Sequence, residues 1–172
     1  EEDCDGFASR VFVETLGRKP DVAVIGEPTD LRVYRGHRGR CEIKVTVKGR
    51  ACHASAPERG DNAVYKMCRI VEGIQGLQQR LKDDAFLGKG TIAVTRIESK
   101  SGSLNVVPDE CAIYIDRRMT VGESPEGSLE EIRSLPGAED ARVELLVYER
   151  PSHTGYTEKV PKEYRTWVTP EA

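Results

Sequence analysis

Three sets of side chains in this 172-residue chain have the type and spacing to do chemistry. The first is carboxylate. Glu1-Glu2-Asp3 is an acidic cluster, and Glu27 follows an aliphatic run in Gly26-Glu27-Pro28-Thr29. Carboxylates at strand ends can hold a metal, and adjacent ones can divide the roles of ligand and base. The same residues also read as a solvated acidic terminus and a turn acid, and spacing alone leaves both open. The second is His53, in the small-residue loop Gly49-Arg50-Ala51-Cys52-His53-Ala54-Ser55-Ala56-Pro57. An imidazole there is free to reach a ligand or simply to face solvent. Cys52 is not read as its nucleophile, because sequence neighbours point apart. The third is Asn105 and Arg118, which bracket Val106-Val107-Pro108 and the strand that follows. An arginine fork with a nearby amide suits a carboxylate, and a surface pair between Arg118 and Asp116 is the plainer reading. His37 and His153 have no partner at metal spacing and read as surface residues.

Regular elements must position these groups. Cys41, Ile43, Val45 and Val47 alternate with Glu42, Lys44, Thr46 and Lys48, the period of a strand with one packed face. Asp61–Leu81 changes to helical spacing, with Val64, Met67, Val71 and Ile74 on one stripe and Ile70, Leu77 and Leu81 widening it. Thr91–Glu98 is a second strand. Glu110–Arg118 is a third, with Cys111, Ile113 and Ile115 inward and Tyr114, Asp116 and Arg118 outward. Ser124-Pro125-Glu126 opens a second helix with a capping hydroxyl, a proline at the first position and an early acid. Ala141–Tyr148 is a fourth strand, with Val143, Leu145 and Val147 on one face.

The order predicts an α+β fold: a ferredoxin-like βαββαβ two-layer sandwich, a four-stranded antiparallel sheet with two helices on one face. Short arms flank it. Gly6–Leu16 reads as a helix and Asp21–Glu27 as a strand buried on both faces, so residues 1–36 look like part of an α/β unit. Residues 37–149 form the sandwich, and residues 150–172 a return strand or extended arm.

Composition sets outer bounds. The formal charge is -3, with 26 basic and 29 acidic residues interspersed, which gives no nucleic-acid or membrane surface. Five cysteines without C-x-x-C spacing point to reduced thiols and a cytoplasmic location. No secretory leader is read at the start, and an opening Glu1 in place of Met leads us to expect a piece excised from something longer.

Several of these segments occur together in one family. The chain resembles the zinc amidohydrolases that include acetylornithine deacetylase, succinyl-diaminopimelate desuccinylase, aminoacylase and glutamate carboxypeptidase. Glu1-Glu2-Asp3-Cys4-Asp5-Gly6 resembles that family's paired-glutamate motif, and Gly26-Glu27-Pro28-Thr29 its next metal-ligand motif. Gly49–Ala63 resembles the start of its lid, or dimerisation, domain. Asn105-Val106-Val107-Pro108-Asp109-Glu110 and Asp116-Arg117-Arg118 resemble the lid's substrate-facing segment.

That resemblance implies roles. Glu1 would be the general base, and Glu2 and Glu27 would each ligate one of two zinc ions. His53 would cross a dimer interface to stabilise the oxyanion, and Asn105 and Arg118 would hold the substrate's carboxylate end. The implied parent is a homodimer that hydrolyses an N-acyl amino acid or a small peptide-like amide. The family's upstream His-x-Asp motif, bridging aspartate and downstream histidine are not in this sequence, so we expect neither tight zinc nor hydrolysis from this chain alone. The alternative is a stand-alone ferredoxin-like binding or regulatory module without catalysis. Against an RNA-binding version, Tyr114 is nearly the only outward aromatic on the predicted sheet.

Overall fold

The computed structural model describes residues 6–170 apart from 23, 25 and 153. Helix α1 (Phe7–Arg10) runs into a π turn over Val11–Thr15, and strands β1 (Gly36–His37) and β2 (Gly39–Lys48) follow. A long loop then leads to helix α2 (Ala63–Arg80), a hairpin of β3 (Asp83–Asp84) and β4 (Gly88–Lys89), and strand β5 (Thr91–Lys100). Strand β6 (Glu110–Met119), helix α3 (Pro125–Arg133) and strands β7 (Arg142–Leu145) and β8 (Val147–Tyr148) complete the sandwich. The tail adds β9 (Val160–Pro161), β10 (Glu163–Tyr164) and β11 (Trp167–Val168).

All pairings are antiparallel, and the main sheet is ordered β7-β2-β6-β5, with β10 also joining β2 at Arg40 and Cys41. The first and third long strands are therefore central, as the ferredoxin-like fold requires. Period-two alternation explains the sidedness: Cys41, Ile43, Val45, Val47, Cys111, Ile113 and Ile115 are buried beneath the helices. Helix α2 covers β5 and β6, and α3 covers β7. Ala63, Met67, Ile70, Ile74 and Leu77 form its buried stripe, with Val64 and Val71 only partly buried. Asn62 caps α2 by accepting the Val64 N–H at 2.9 Å, and Ser124 caps α3 by accepting that of Gly127 at 3.0 Å.

The sheet departs from the expected pattern in three places. Val22 and Val24 are 78% and 94% exposed and form no strand, because no strand among the described residues lies alongside them. Strand β5 bulges between Val94 and Arg96, so its register against β6 slips by one residue. The fourth strand breaks at Leu146. Its N–H still reaches the Glu42 carbonyl at 2.8 Å, but the parity reverses, leaving Val147 exposed and Tyr148 buried.

One inward residue is charged. Arg117 shares the parity of Cys111, Ile113 and Ile115 and is fully buried. Its Nη2 meets Glu123 at 2.5 Å and Glu131 at 3.4 Å, and its Nη1 donates to the Arg118 carbonyl at 2.5 Å. Glu123 also accepts from the Thr120 N–H at 2.6 Å and the Thr120 hydroxyl at 2.9 Å. Burial alone would raise the Glu123 carboxyl, but those donors and the guanidinium together hold it below its usual range.

Candidate functional site

The carboxylate set is the least built. Glu1 and Glu2 lie outside the described residues, and Glu27 is exposed in an irregular segment. Among the described residues, no three His, Cys, Asp or Glu side chains converge on a point that could hold a metal ion. The described donors therefore do not fit a zinc site.

His53 and Asn105 are brought together. Strands β2 and β6 pair along their whole length, Gly39 with Met119 through to Lys48 with Glu110. The end of one is thus the start of the other, and their flanking loops continue side by side. Gly49 N–H donates to Asp109 at 2.8 Å, Val107 N–H to Cys52 at 2.9 Å, and Ala54 N–H to Asn105 at 2.8 Å, all to backbone carbonyls. His53 and Val106 form a bridge in that extension. The imidazole Nε2 then lies 3.3 Å from Asn105 Nδ2, although 52 positions separate the residues. Nδ1 accepts the Ser55 N–H at 3.1 Å and lies 2.7 Å from its hydroxyl. Both side chains are exposed, so they face outward from the sandwich. Beside them the Lys48 ammonium bonds Glu110 and holds that carboxyl below the usual range.

Arg118 is elsewhere. It lies at the far end of β6, half-exposed, with Nε and Nη2 donating to Asp116 at 2.6 and 3.0 Å. Eight strand residues, roughly 26 Å, separate it from the start of β6 beside the His53–Asn105 pair. One copy of the chain does not combine all three.

Sequence reasoning passed over two features near Arg118. Arg117 was legible by its parity with the inward aliphatic residues. The cleft that Arg118 shares with His37 and Arg38 was not, because it depends on how the chain enters β2.

Residues 35–144 match the family model described as the peptidase dimerisation domain. The chain is 49% identical over 173 residues to YgeY of Escherichia coli K12, an uncharacterized protein, covering 99% of this chain and 43% of that one. It thus spans less than half the length of this curated relative. Two crystal structures share the fold. An amidase of the hydantoinase/carbamoylase family from Burkholderia vietnamiensis superposes with a TM-score of 0.57 at 16% identity, over 78% of this chain and 30% of that one. A Staphylococcus aureus tripeptidase gives 0.51 at 17%, over 80% and 32%. The observed sandwich fills the span that the family model matches, which is well over half the chain. The chain therefore belongs to the peptidase dimerisation domain family of the M20 peptidases.

Proposed function

We propose that this chain is the lid and dimer interface of a hydrolase that cleaves an amide bond in an N-acyl amino acid or peptide-like substrate, each site needing two lids. The observation that carries this reading is the placement of His53 beside Asn105 at one end of the sheet and of Arg118 at the other. A small substrate cannot span roughly 26 Å, the length of eight strand residues.

Two copies solve the problem. Among the described residues β5 is an edge strand, hydrogen-bonded only to β6, and such an edge favours pairing. A two-fold axis would pair β5 with its own copy in antiparallel sense. The Lys100 end of one copy then lies beside the Thr91 end of the other. Lys100 leads into the Asn105 loop, and Thr91 is the register partner of Arg118. The pairing carries His53 and Asn105 of one lid toward the partner's Arg118. His53 would present a donor to the oxygen that gains charge, while Asn105 and Arg118 would hold the substrate's carboxylate.

Glu1 as base, and Glu2 and Glu27 as zinc ligands, belong to this reading through resemblance alone. The roles given to the lid residues require no contact with the metal. The 172-residue chain by itself is expected to dimerise without hydrolysing amides.

The test uses the longer polypeptide, of the length of its relatives. His53→Ala and Arg118→Ala variants are inactive alone. Mixed dimers regain one intact site in two, so a subunit-exchanged mixture returns to about a quarter of wild-type activity. A mixture as inactive as its components would overturn the two-lid site. A monomeric 172-residue chain in sedimentation would remove the interface altogether.

A further inference from the structure

We propose that the cleft beside Arg118 takes a ligand with two anionic groups, a dicarboxylate, and that Arg38 holds the second group. This rests on the reading of Arg118 as the holder of the first.

The cleft, of about 660 Å³, is built by residues 33–38, by Phe86 and Leu87 next to β4, and by Arg118. Arginines 35, 38 and 118 and His37 line it, and among the described residues no acidic one does. In a chain with more acids than bases, that is a local reversal of charge. Among the described residues, the compensation behind Arg118 is thin. Asp116 serves Arg118 at 2.6 Å and Arg40 at 3.3 Å, while Glu42 serves Arg40 and, at 3.0 Å, Lys162. Three cations share two carboxylates in that network, so positive potential extends into the cleft.

Arg38 donates to the Lys89 carbonyl at 2.8 Å. A carbonyl orients a guanidinium without cancelling its charge, and further N–H groups of the fork stay available. His37 Nδ1 lies 2.9 Å from the Arg38 carbonyl, which can only accept, so Nδ1 carries a hydrogen and the ring anchors the Arg38 backbone. The edge contact of its ring with Trp167, centroids 5.2 Å apart, fixes the ring plane.

Spacing argues for two groups over one. Arg38 lies two positions before Arg40, the register partner of Arg118. Two residues of strand rise is roughly 7 Å, which suits the ends of a short diacid better than the two oxygens of one carboxylate. Tyr34 and Phe86, both exposed, supply an apolar wall for the methylenes between.

The experiment titrates the 172-residue chain with glutarate and with butyrate, following binding by NMR. Glutarate should bind about tenfold tighter, the worth of one further charge-assisted contact. Arg38→Gln should bring glutarate down to the butyrate level and leave butyrate unchanged, and Arg38→Lys should recover part of the preference. An unchanged melting temperature shows that the exposed Arg38 variants still fold. Equal affinities in the wild type, a glutarate preference that survives in Arg38→Gln, or no binding of either acid would overturn the proposal. The Arg118 reading is scored separately. Butyrate binding lost in Arg118→Gln keeps that reading even when the diacid preference fails, and butyrate binding unaffected by it breaks both.

Discussion

Asn105 and His53, 52 positions apart in the chain, stand with Nδ2 and Nε2 3.3 Å from each other because the β2–β6 ladder extends past its own ends. The Ser55 N–H donates to Nδ1, so a neutral ring carries its proton on Nε2. An Nε2–H facing an amide NH₂ is a contact between donors, and a half-turn of the Asn105 amide replaces it with a hydrogen bond to oxygen. We predict the Nε2–H tautomer for His53, read from imidazole ¹⁵N shifts. An Nδ1–H ring would mean that His53 offers an acceptor, incompatible with stabilising an oxyanion.

The loop that carries His53 depends on close backbone approach at Gly49. A Cβ there would lie 2.0 Å from the Asp61 carbonyl oxygen and 3.0 Å from Ala63 N. Backbone atoms cannot swing aside as a side chain can. Gly49→Ala should cost about 2 to 3 kcal/mol in urea unfolding. It should also move the His53 resonances. A variant of wild-type stability would show that the loop is looser than the Arg50–Asp61 bridge implies.

Arg117 and Glu123 form a buried pair whose loss is costly on one side. Glu123→Gln leaves a fully buried guanidinium without its main counter-charge, and stability at neutral pH should fall by about 3 kcal/mol. The pH dependence has a definite sign. The carboxyl is held below its ordinary value of 4.5, so its stabilisation is present above that value and lost as pH falls through the lower folded value. Wild type and Glu123→Gln should therefore converge in stability below about pH 4.5. Parallel curves through that range would assign the stabilisation to other groups.

The thiols separate by burial. Cys41 is pushed up to about 11 by burial, with the nearby Arg117 charge and the Ser128 hydroxyl acting weakly against it. Burial also raises Cys111, and the neighbouring Cys68 adds to the shift. In a Cys4→Ser background, a disulfide reagent at pH 8 should modify exposed Cys68 readily and half-exposed Cys52 next. Cys41 and Cys111 should react only after unfolding. Rapid reaction of four thiols in the native protein would contradict the packed inner face.

Much of the fold could be read directly from residue order. Alternation in Cys41–Val47 and Cys111–Ile115 identified two strands and their inner faces, and Asn62 and Ser124 stand where helices begin. The parity that placed Arg118 outward also places Arg117 inward, and only the second has become a core ion pair. Val22 and Val24 show the limit of such reading. Aliphatic composition marks what could be buried in a sheet, while a strand also needs a neighbour to bond, and Val24 has none among the described residues.

What this sequence determined by itself is local: which faces are apolar, where helices start and stop, and the βαββαβ order that follows. These are set within a few residues by side-chain periodicity and capping. Tertiary structure alone decided which chemical groups share a place. Strand register joined His53 to Asn105 and held both a strand length from Arg118, and the entry into β2 set His37 and Arg38 beside that arginine. Neighbourhoods of this kind come from pairing between distant segments, which no short window of sequence contains.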